Sequence, residues 1–390
     1  MRKRFFTPLI VATFAATAVV LSACSGGAAT PSASPAGSYD KALSAAYDGV
    51  VEKPTIDPVE VSGPEQNVAI ISCSLTLESC RTQADAVSAA VTELGWWPMV
   101  IDGESANGYG TAVRQAIAQS ATAIVVTDTD CSSAAAYFAE AHLAQIPVIA
   151  LGGKDDCKPA GFDVATRWTM AYPESQRAAL AGKLQADYAY GSLKGDVKAL
   201  VLTQSGSGVT AVAAKAFTAE LTALGSGKVV QTLELGAGEI ADGTFVAKVV
   251  EAAQSAGANI IVCPDDSWVT TGGLGKALMA DSKTKKVVIV GRGGSAEDLD
   301  AIRAGKTGLV ATVAQAFDWQ AAGTVDALLR LLAGQKQVLI GDAMQVVDAT
   351  HNMPESGGYV SEIDGTSIFL SARVIPTSSP SPTPSEKPAN

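Results

Sequence analysis

The feature that most constrains this chain is one unit repeated from about residue 66 to residue 375. A short β-branched run ends in small or polar residues, and an Ala-rich amphipathic stretch follows. Strands are predicted over 68–73, 98–102, 123–127, 147–151 and 163–171, then over 198–203, 229–235, 259–263, 286–290 and 309–314. Helices are predicted in the gaps, over 82–94, 110–119, 132–144 and 174–190. After the midpoint they are predicted over 208–224, 243–256, 274–280, 297–304 and 319–333. Strands that are apolar on both faces and alternate with helices require a parallel sheet covered on both sides. Ten such strands exceed one comfortable sheet, so the expected fold class is α/β with two doubly wound parallel-sheet domains. In such domains ligands sit at the carboxyl ends of the strands.

Composition narrows the chemistry. Apolar residues make up 47 % and charged residues 17 %, enough to bury a large core. Lys+Arg 28 against Asp+Glu 39 gives a net charge of −11, which argues against a nucleic-acid binder held by phosphate contacts. His142 and His351 are the two histidines, so multi-histidine metal sites are excluded and a Ser-His-Asp triad has only two possible bases. The phosphate-loop pattern fails twice around Gly272–Lys276, at Thr270 and at Ala277. Gly206 and Gly208 open a helix, but Ala211 stands in the third glycine position and Glu234 is a loose match to the ribose-binding acid, which argues against a dinucleotide site. No G-x-S-x-G elbow occurs. The carboxylate pairs Asp155-Asp156 and Asp265-Asp266 read as turn or cap residues rather than an acid–base pair.

The two ends are not part of the fold. Arg2, Lys3 and Arg4 precede an apolar stretch from about Leu9 to Leu21, shorter than the roughly 20 residues of a membrane span. It ends in Leu21-Ser22-Ala23-Cys24, which resembles a bacterial lipobox. The resemblance implies that residues 1–23 are a signal peptide and that lipid is attached to Cys24. Several acyl chains on one residue anchor stably. Residues 24–64, rich in Ser, Ala, Gly and Pro, are expected to be a flexible tether with a weak helix around 39–49. Residues 376–390 (PTSSPSPTPSEKPAN) are expected to be an extended, solvated tail.

The remaining five cysteines suit an oxidising compartment. Cys73 ends the first strand and Cys80 opens the next helix, a spacing fit to staple that loop. Cys131 and Cys157 follow strands three and four, and their ends are neighbours if the sheet order is 2-1-3-4-5. Cys263 reads as a buried free thiol. No C-x-x-C pair supports a metal site, and no cofactor is implied.

From Asn67 to Asn352 the sequence resembles type I periplasmic binding proteins of the ribose-binding, LacI-related group, the solute receptors of sugar ABC importers. The ordered stretch VVIVGRGGSAEDLDAIRAGKTGLVATVAQAFDWQAAGTVDALLRLLAG (287–334) carries the resemblance, with IIVCPDDSW (260–268) at the family's acidic turn. It implies a hinge of three crossings, near Ala171, near Gln315 and near 340–345. One lobe then comprises 65–171 plus 316–342, the other 172–315 plus 343–375. It also implies a small sugar-like ligand, a permease with its cytoplasmic ATPase as partner, a monomer, and a place on the outer face of the cytoplasmic membrane.

Candidate ligand contacts follow from strand ends and the resemblance together. Asp265 and Gln315 match family ligand contacts, and Thr127, Asp128 and Asp130 end strand three. Ser74 and Thr76 lie in the first loop. Trp168, Trp268 and Trp319 fall at strand ends or crossovers, where each is placed to stack on a sugar ring or to pack, and Tyr172 is of the same sort. Three departures bear on the ligand. Arg292-Gly293 stands where many relatives have an aromatic and Asp, Gly152-Gly153 where ribose-type receptors have Asp-Arg, and no Arg stands on the sixth-strand helix. Arg292 is therefore placed to meet a carboxylate or phosphate of the ligand, or else to form a surface salt bridge. The reading is a membrane-tethered binding protein for a sugar or sugar derivative. The alternatives are a sensory receptor of the same fold and a binder of an acidic or phosphorylated molecule; enzyme readings lack a motif.

Overall fold

Two parallel sheets form where the apolar runs predict them. The computed structural model describes residues 35–374 apart from 62 and 105–107, so the signal segment, Cys24 and the 376–390 tail lie outside the described residues. The described chain begins with α1 (Pro35–Asp48), β1 (Val50–Glu52) and β2 (Val59–Glu60). A first series follows: β3 (Asn67–Ser72), α2 (Glu78–Thr92), β4 (Trp97–Asp102), α3 (Gly108–Ala118) and β5 (Ala123–Thr127). It ends with α4 (Ala135–Leu143), β6 (Val148–Leu151) and β7 (Val164–Ala165). The second series is α5 (Glu174–Ser192), β8 (Lys198–Gln204), α6 (Gly208–Ala223), β9 (Lys228–Leu235), α7 (Ala237–Ala241) and α8 (Phe245–Ala256). It continues through β10 (Ile260–Val262), α9 (Leu274–Ala280), β11 (Val288–Gly293), α10 (Ala296–Ala304) and β12 (Leu309–Gln315). The last elements are α11 (Phe317–Leu332), β13 (Asp342–Asp348), α12 (Gly365–Ala372) and β14 (Arg373–Val374).

The first sheet has the order β4-β3-β5-β6-β7, all parallel, which is the 2-1-3-4-5 order of a doubly wound domain. The second has the order β1-β13-β12-β11-β10-β8-β9, parallel from β12 to β9 and antiparallel at β13 and β1. Central strands are apolar throughout because both faces are covered: β5 buries all five of its residues, and β3 all but Asn67. Helix α11 is buried on nearly every side because α2, α12 and the first sheet enclose it, which suits its run of Ala, Gly and Leu. Both disulfides lie in the first lobe, Cys73–Cys80 with Cα atoms 5.5 Å apart and Cys131–Cys157 with Cα atoms 5.7 Å apart. Cys263 is free and buried.

The chain passes from one sheet to the other at 166–173, at residue 316 and at 333–341. Two further passages, over 53–58 and 349–364, come from the terminal segments. Both differ from expectation. Of the tether expected over 24–64, the helix expected around 39–49 is present within α1, but the segment is helix and strand from Pro35 onward and packs on the second lobe: α1 lays Ala42 and Ala46 against α5, and Tyr39 meets Tyr190 with ring centroids 5.0 Å apart. Apart from that tyrosine, small residues make the contact, so most of the sequence there reads as linker. The end of the region expected in the second lobe returns to the first, since α12 packs on α11 and β14 pairs with β2. The strand expected over 163–171 stops at Ala165, because Thr166 turns its hydroxyl to the carbonyl of Ala150 (2.8 Å) and Trp168 folds inward.

Helix α5 packs tightly on α6, where a Cβ on Gly182 would stand 2.0 Å from the backbone oxygen of Ala213. Backbone cannot yield as a side chain can. Gly182→Ala is expected to cost about 1–3 kcal/mol by forcing the helices apart, read as a lower urea midpoint with an unchanged slope.

Candidate functional site

The carboxyl ends of both sheets face each other across a cavity of about 340 Å³. On the first lobe, the Cys73–Cys80 bond ties the β3–α2 loop and sets Ser79 at its rim. Asp128 adopts a left-handed backbone (φ 44°) and accepts from Gln83 Nε2 at 2.7 Å. Asp130 accepts the Lys154 amide at 2.8 Å. Thr129 donates to the Tyr109 hydroxyl at 2.8 Å, and burial pushes that phenol up to about 12, so it stays neutral. The glycine pair at 152–153 is required here. Both residues have positive φ, and a Cβ would stand 2.2 Å from Asp128 Oδ1 or 2.1 Å from the Thr129 oxygen.

On the second lobe, Asp265 caps the short turn Asp266–Trp268 by accepting the Ser267 amide at 2.8 Å. Its other oxygen accepts the Ser79 hydroxyl at 2.6 Å, a bond that spans the two lobes. Trp268 packs on Phe245 (centroids 5.7 Å apart) and presents what remains of its edge to the cavity. The loop from Gln204 to Thr210 and Arg292 complete the wall.

Beneath the cavity floor lies the hinge. Arg177, in the first turn of α5, is 4 % exposed and holds Asp342 through two nitrogens at 2.7 and 3.3 Å. It also donates to Gln315 Oε1 at 3.3 Å, as does Arg292 from the other side at 3.3 Å, and its guanidinium lies 3.5 Å over the Trp168 ring. Burial alone would lower the Arg177 pKa, but Asp342 and Glu174 outweigh it and raise it. Burial pushes the Glu174 carboxyl up and Arg177 pulls it back only in part; this carboxylate accepts the Trp168 indole N–H.

Five of the residues singled out in the sequence line the cavity together: Asp128, Asp130, Asp265, Trp268 and Arg292. Gln315 lies below them, bonded to both arginines. The others stand elsewhere. Trp168 is 2 % exposed and serves the hinge. Thr127 is buried, accepting the Cys73 amide at 3.1 Å, and Ser74 is buried against an exposed Thr76 at 2.8 Å. Tyr172 packs beside the second-lobe core. Trp319 faces the opposite side of the first lobe, because α11 turns it toward α12 and its indole donates to the Ile340 carbonyl at 2.7 Å. There it lines a second cavity of about 580 Å³ between α2, α11 and α12. That cavity is larger, but its wall is chiefly alanine and other apolar groups, whereas polar groups converge on the interlobe cavity. Glu174, Arg177, Ser79 and Tyr109 also line the cleft and were not singled out. The first two sit three apart in PESQRAAL, which reads as an ordinary charged first turn. Among the described residues, the one trio of acidic or sulfur ligand atoms within 4.8 Å of each other is Cys131, Asp155 and Cys157, whose thiols are joined to each other.

A two-lobed fold with a polar cavity at facing strand ends defines a solute-binding class. Residues 68–336 match the family described as periplasmic binding protein domain, and the chain belongs to that family. It is a family of binding proteins, not of enzymes. Among curated proteins no sequence matches the chain. Solved structures share the fold. A solute-binding protein of an ABC transporter from Bacillus halodurans, with bound myo-inositol, is 19 % identical with a TM-score of 0.57, over 74 % of this chain and 96 % of that one. The Caulobacter myo-inositol binding protein is 18 % identical with a TM-score of 0.59, over 74 % of this chain and 95 % of that one. The binding component of an arabinose ABC transporter from Shewanella is 18 % identical with a TM-score of 0.58, over 73 % and 92 %.

Arg177 and Asp342 are both buried, so removing one strands the other's charge. Asp342→Ala is expected to lower unfolding stability by about 3–5 kcal/mol, whereas Asp130→Ala at the partly exposed rim should change it little; urea denaturation distinguishes the two.

Proposed function

We propose that this protein captures a sugar or a closely related polyol in the interlobe cavity and hands it to the permease of an ABC importer, while lipid on Cys24 holds it at the outer face of the membrane. The observation that carries this reading is the wall of the cavity. Asp128, Asp130, Asp265, Glu174 and Arg292 offer acceptors and donors for hydroxyl groups around the edge of Trp268. A site built to bond hydroxyl groups discriminates well, because a ligand that lacks them leaves buried polar atoms unpaired. The fold neighbours support the same class, since their own ligands are myo-inositol and arabinofuranose. Acids outnumber bases along the wall, with Glu104, Asp128, Asp130, Glu174 and Asp265 against Arg177 and Arg292. That excess of acids favours a neutral ligand over an acidic one, and Arg292, which gives Gln315 one bond and keeps its Nε without a partner, is free to donate to a ligand hydroxyl. Closure by hinge motion then commits the ligand.

A thermal-shift panel of neutral sugars, polyols, sugar acids, sugar phosphates and amino acids tests the proposal on the chain from Ser25 onward. A ligand at 100 times its Kd adds about 2.7 kcal/mol, so neutral sugars or polyols should raise Tm by several degrees. Trp268→Ala and Asp265→Ala should weaken that ligand at least about tenfold, as the loss of one good contact implies. Shifts confined to acidic compounds, or none in a folded protein, would overturn the substrate class.

A further inference from the structure

Where the lobes touch, the structure gathers carboxylates, and among the described residues none of them is in an ion pair. Glu78 opens α2 on the first lobe; Asp265 and Asp266 belong to the turn after β10, and Asp298 to the first turn of α10, on the second. Glu78, Asp266 and Asp298 are 5 %, 0 % and 1 % exposed. Each keeps one oxygen, Glu78 Oε2, Asp266 Oδ1 and Asp298 Oδ1, buried with no hydrogen-bond partner. Their other oxygens are engaged. Glu78 accepts from Thr82 at 2.9 Å, Asp298 accepts the amides of Gly294 and Ser295 at 3.1 and 3.0 Å, and Asp266 accepts the Thr312 hydroxyl.

Strand β11 is shaped around this group. A Cβ on Gly291 would stand 1.6 Å from Asp266 Oδ1, and one on Gly293 would stand 2.6 Å from Asp298 Oδ2 and 2.7 Å from Asp266 Oδ2. The Asp266 and Asp298 carboxylates therefore press on the same point of the strand. The charged groups acting most strongly on the three acids include one another, Asp265 and Glu297, and the buried Cys263 thiol, itself pushed up by burial and by these acids, donates to the Asp265 carbonyl at 3.1 Å. The cleft guanidiniums are engaged elsewhere, Arg177 on Asp342 and Gln315 and Arg292 on Gln315. A shared metal does not fit, because no three ligand atoms of this group lie within 4.8 Å of each other.

An unpaired buried carboxylate is costly unless it is neutral. We infer that Glu78, Asp266 and Asp298 form a proton-binding cluster that couples closure of the two lobes to pH, with the closed form holding protons that the open form releases. The inference rests on the hinge-closing reading above. Its sign follows from which state raises the carboxyl pKa values. Burial pushes all three up in the closed form, Asp298 to about 8, with Glu78 adding repulsion across the lobes. Asp266 and Asp298 stay packed on β11 and β12 of their own lobe when the lobes part. Opening nevertheless hydrates Glu78 and takes its charge away from Asp265 and Asp298, so the carboxyl pKa values fall back toward their ordinary range. The closed form binds more protons, is favoured at low pH, and is lost as pH rises through the window from about 4 to about 8.

The test is energy transfer between dyes on Gln119→Cys and Thr218→Cys, both exposed, one on each lobe, in the full chain held in detergent micelles without ligand. At pH 5.5 the short inter-dye distance should dominate. Each proton released on opening should lower the closed-to-open ratio about tenfold per pH unit within the window. Glu78→Gln should stay closed at pH 8, while Glu93→Gln, at the exposed C-cap of the same helix, should respond like the wild type. Equal distances at pH 5.5 and 8, or a wild-type response in Glu78→Gln, would overturn the inference. Because no ligand is added, neither outcome depends on the sugar panel. Failure of that panel alone would instead strike the substrate reading.

Discussion

The fold turns on one buried guanidinium. Arg177 lies just after the first passage between the lobes, Gln315 at the second and Asp342 at the end of the third, and Arg177 bonds both of the other two. Trp168, within the first passage, stacks on it from the other side. The Arg167 carbonyl accepts the Ile340 amide at 2.7 Å, and the Ile340 carbonyl accepts the Trp319 indole N–H at 2.7 Å. Segments remote in sequence thus meet at one ion pair with almost no solvent access. A buried pair of this kind contributes little against an apolar replacement, but its geometry is exacting, because either partner left alone is a stranded charge. That suits a hinge, which must keep its strands in one register while the lobes above it move.

Much of the architecture was legible from residue pattern because the sheets are covered on both faces. A run such as AIVVT at 123–127 has no solvent side, so its position and its place inside a sheet covered on both faces follow from apolar continuity. The same logic failed at the ends. Helix α1 buries Ala42 and Ala46 and depends on Gly191 of α5, where a Cβ would lie 2.5 Å from the Leu43 side chain. Nothing in an alanine-rich linker announces that a glycine elsewhere has left room for it. Strand β13 was missed for a related reason. It opens with Asp342, whose charge is paired with Arg177, 165 positions away.

The cavity was legible to the depth of its strand ends. Asp128, Asp130, Asp265, Trp268 and Arg292 follow β5, follow β10 or lie in β11, and topology alone brings such positions together. Aromatic residues were the weaker guide. A tryptophan at a crossover can edge the interlobe cavity, the hinge or the far side of a lobe, and Trp268, Trp168 and Trp319 do one each. What separates them is the partner of the indole nitrogen, Glu174 for Trp168 and the Ile340 carbonyl for Trp319, and partners of that kind are tertiary facts.

The placement of charge obeys one rule across the cleft. Where the lobes are joined by chain, opposite charges meet: Arg177 lies on Asp342, and Glu174 feels Arg177. Where the lobes are joined only by approach, like charges meet, with Glu78 against Asp265 and Asp298, and serine hydroxyls rather than cations bridge the walls, Ser79 on Asp265 and Ser295 beside Glu78. An attractive ion pair at the closing edge would have held the lobes shut with or without cargo, because a buried pair is costly to break. On the proposed closing motion, acids in that position would leave closure weakly poised, so that the differential affinity of a ligand for the closed form would be enough to decide it. The price appears in β11, which gives up side chains at Gly291 and Gly293 so that Asp266 and Asp298 can lie against it.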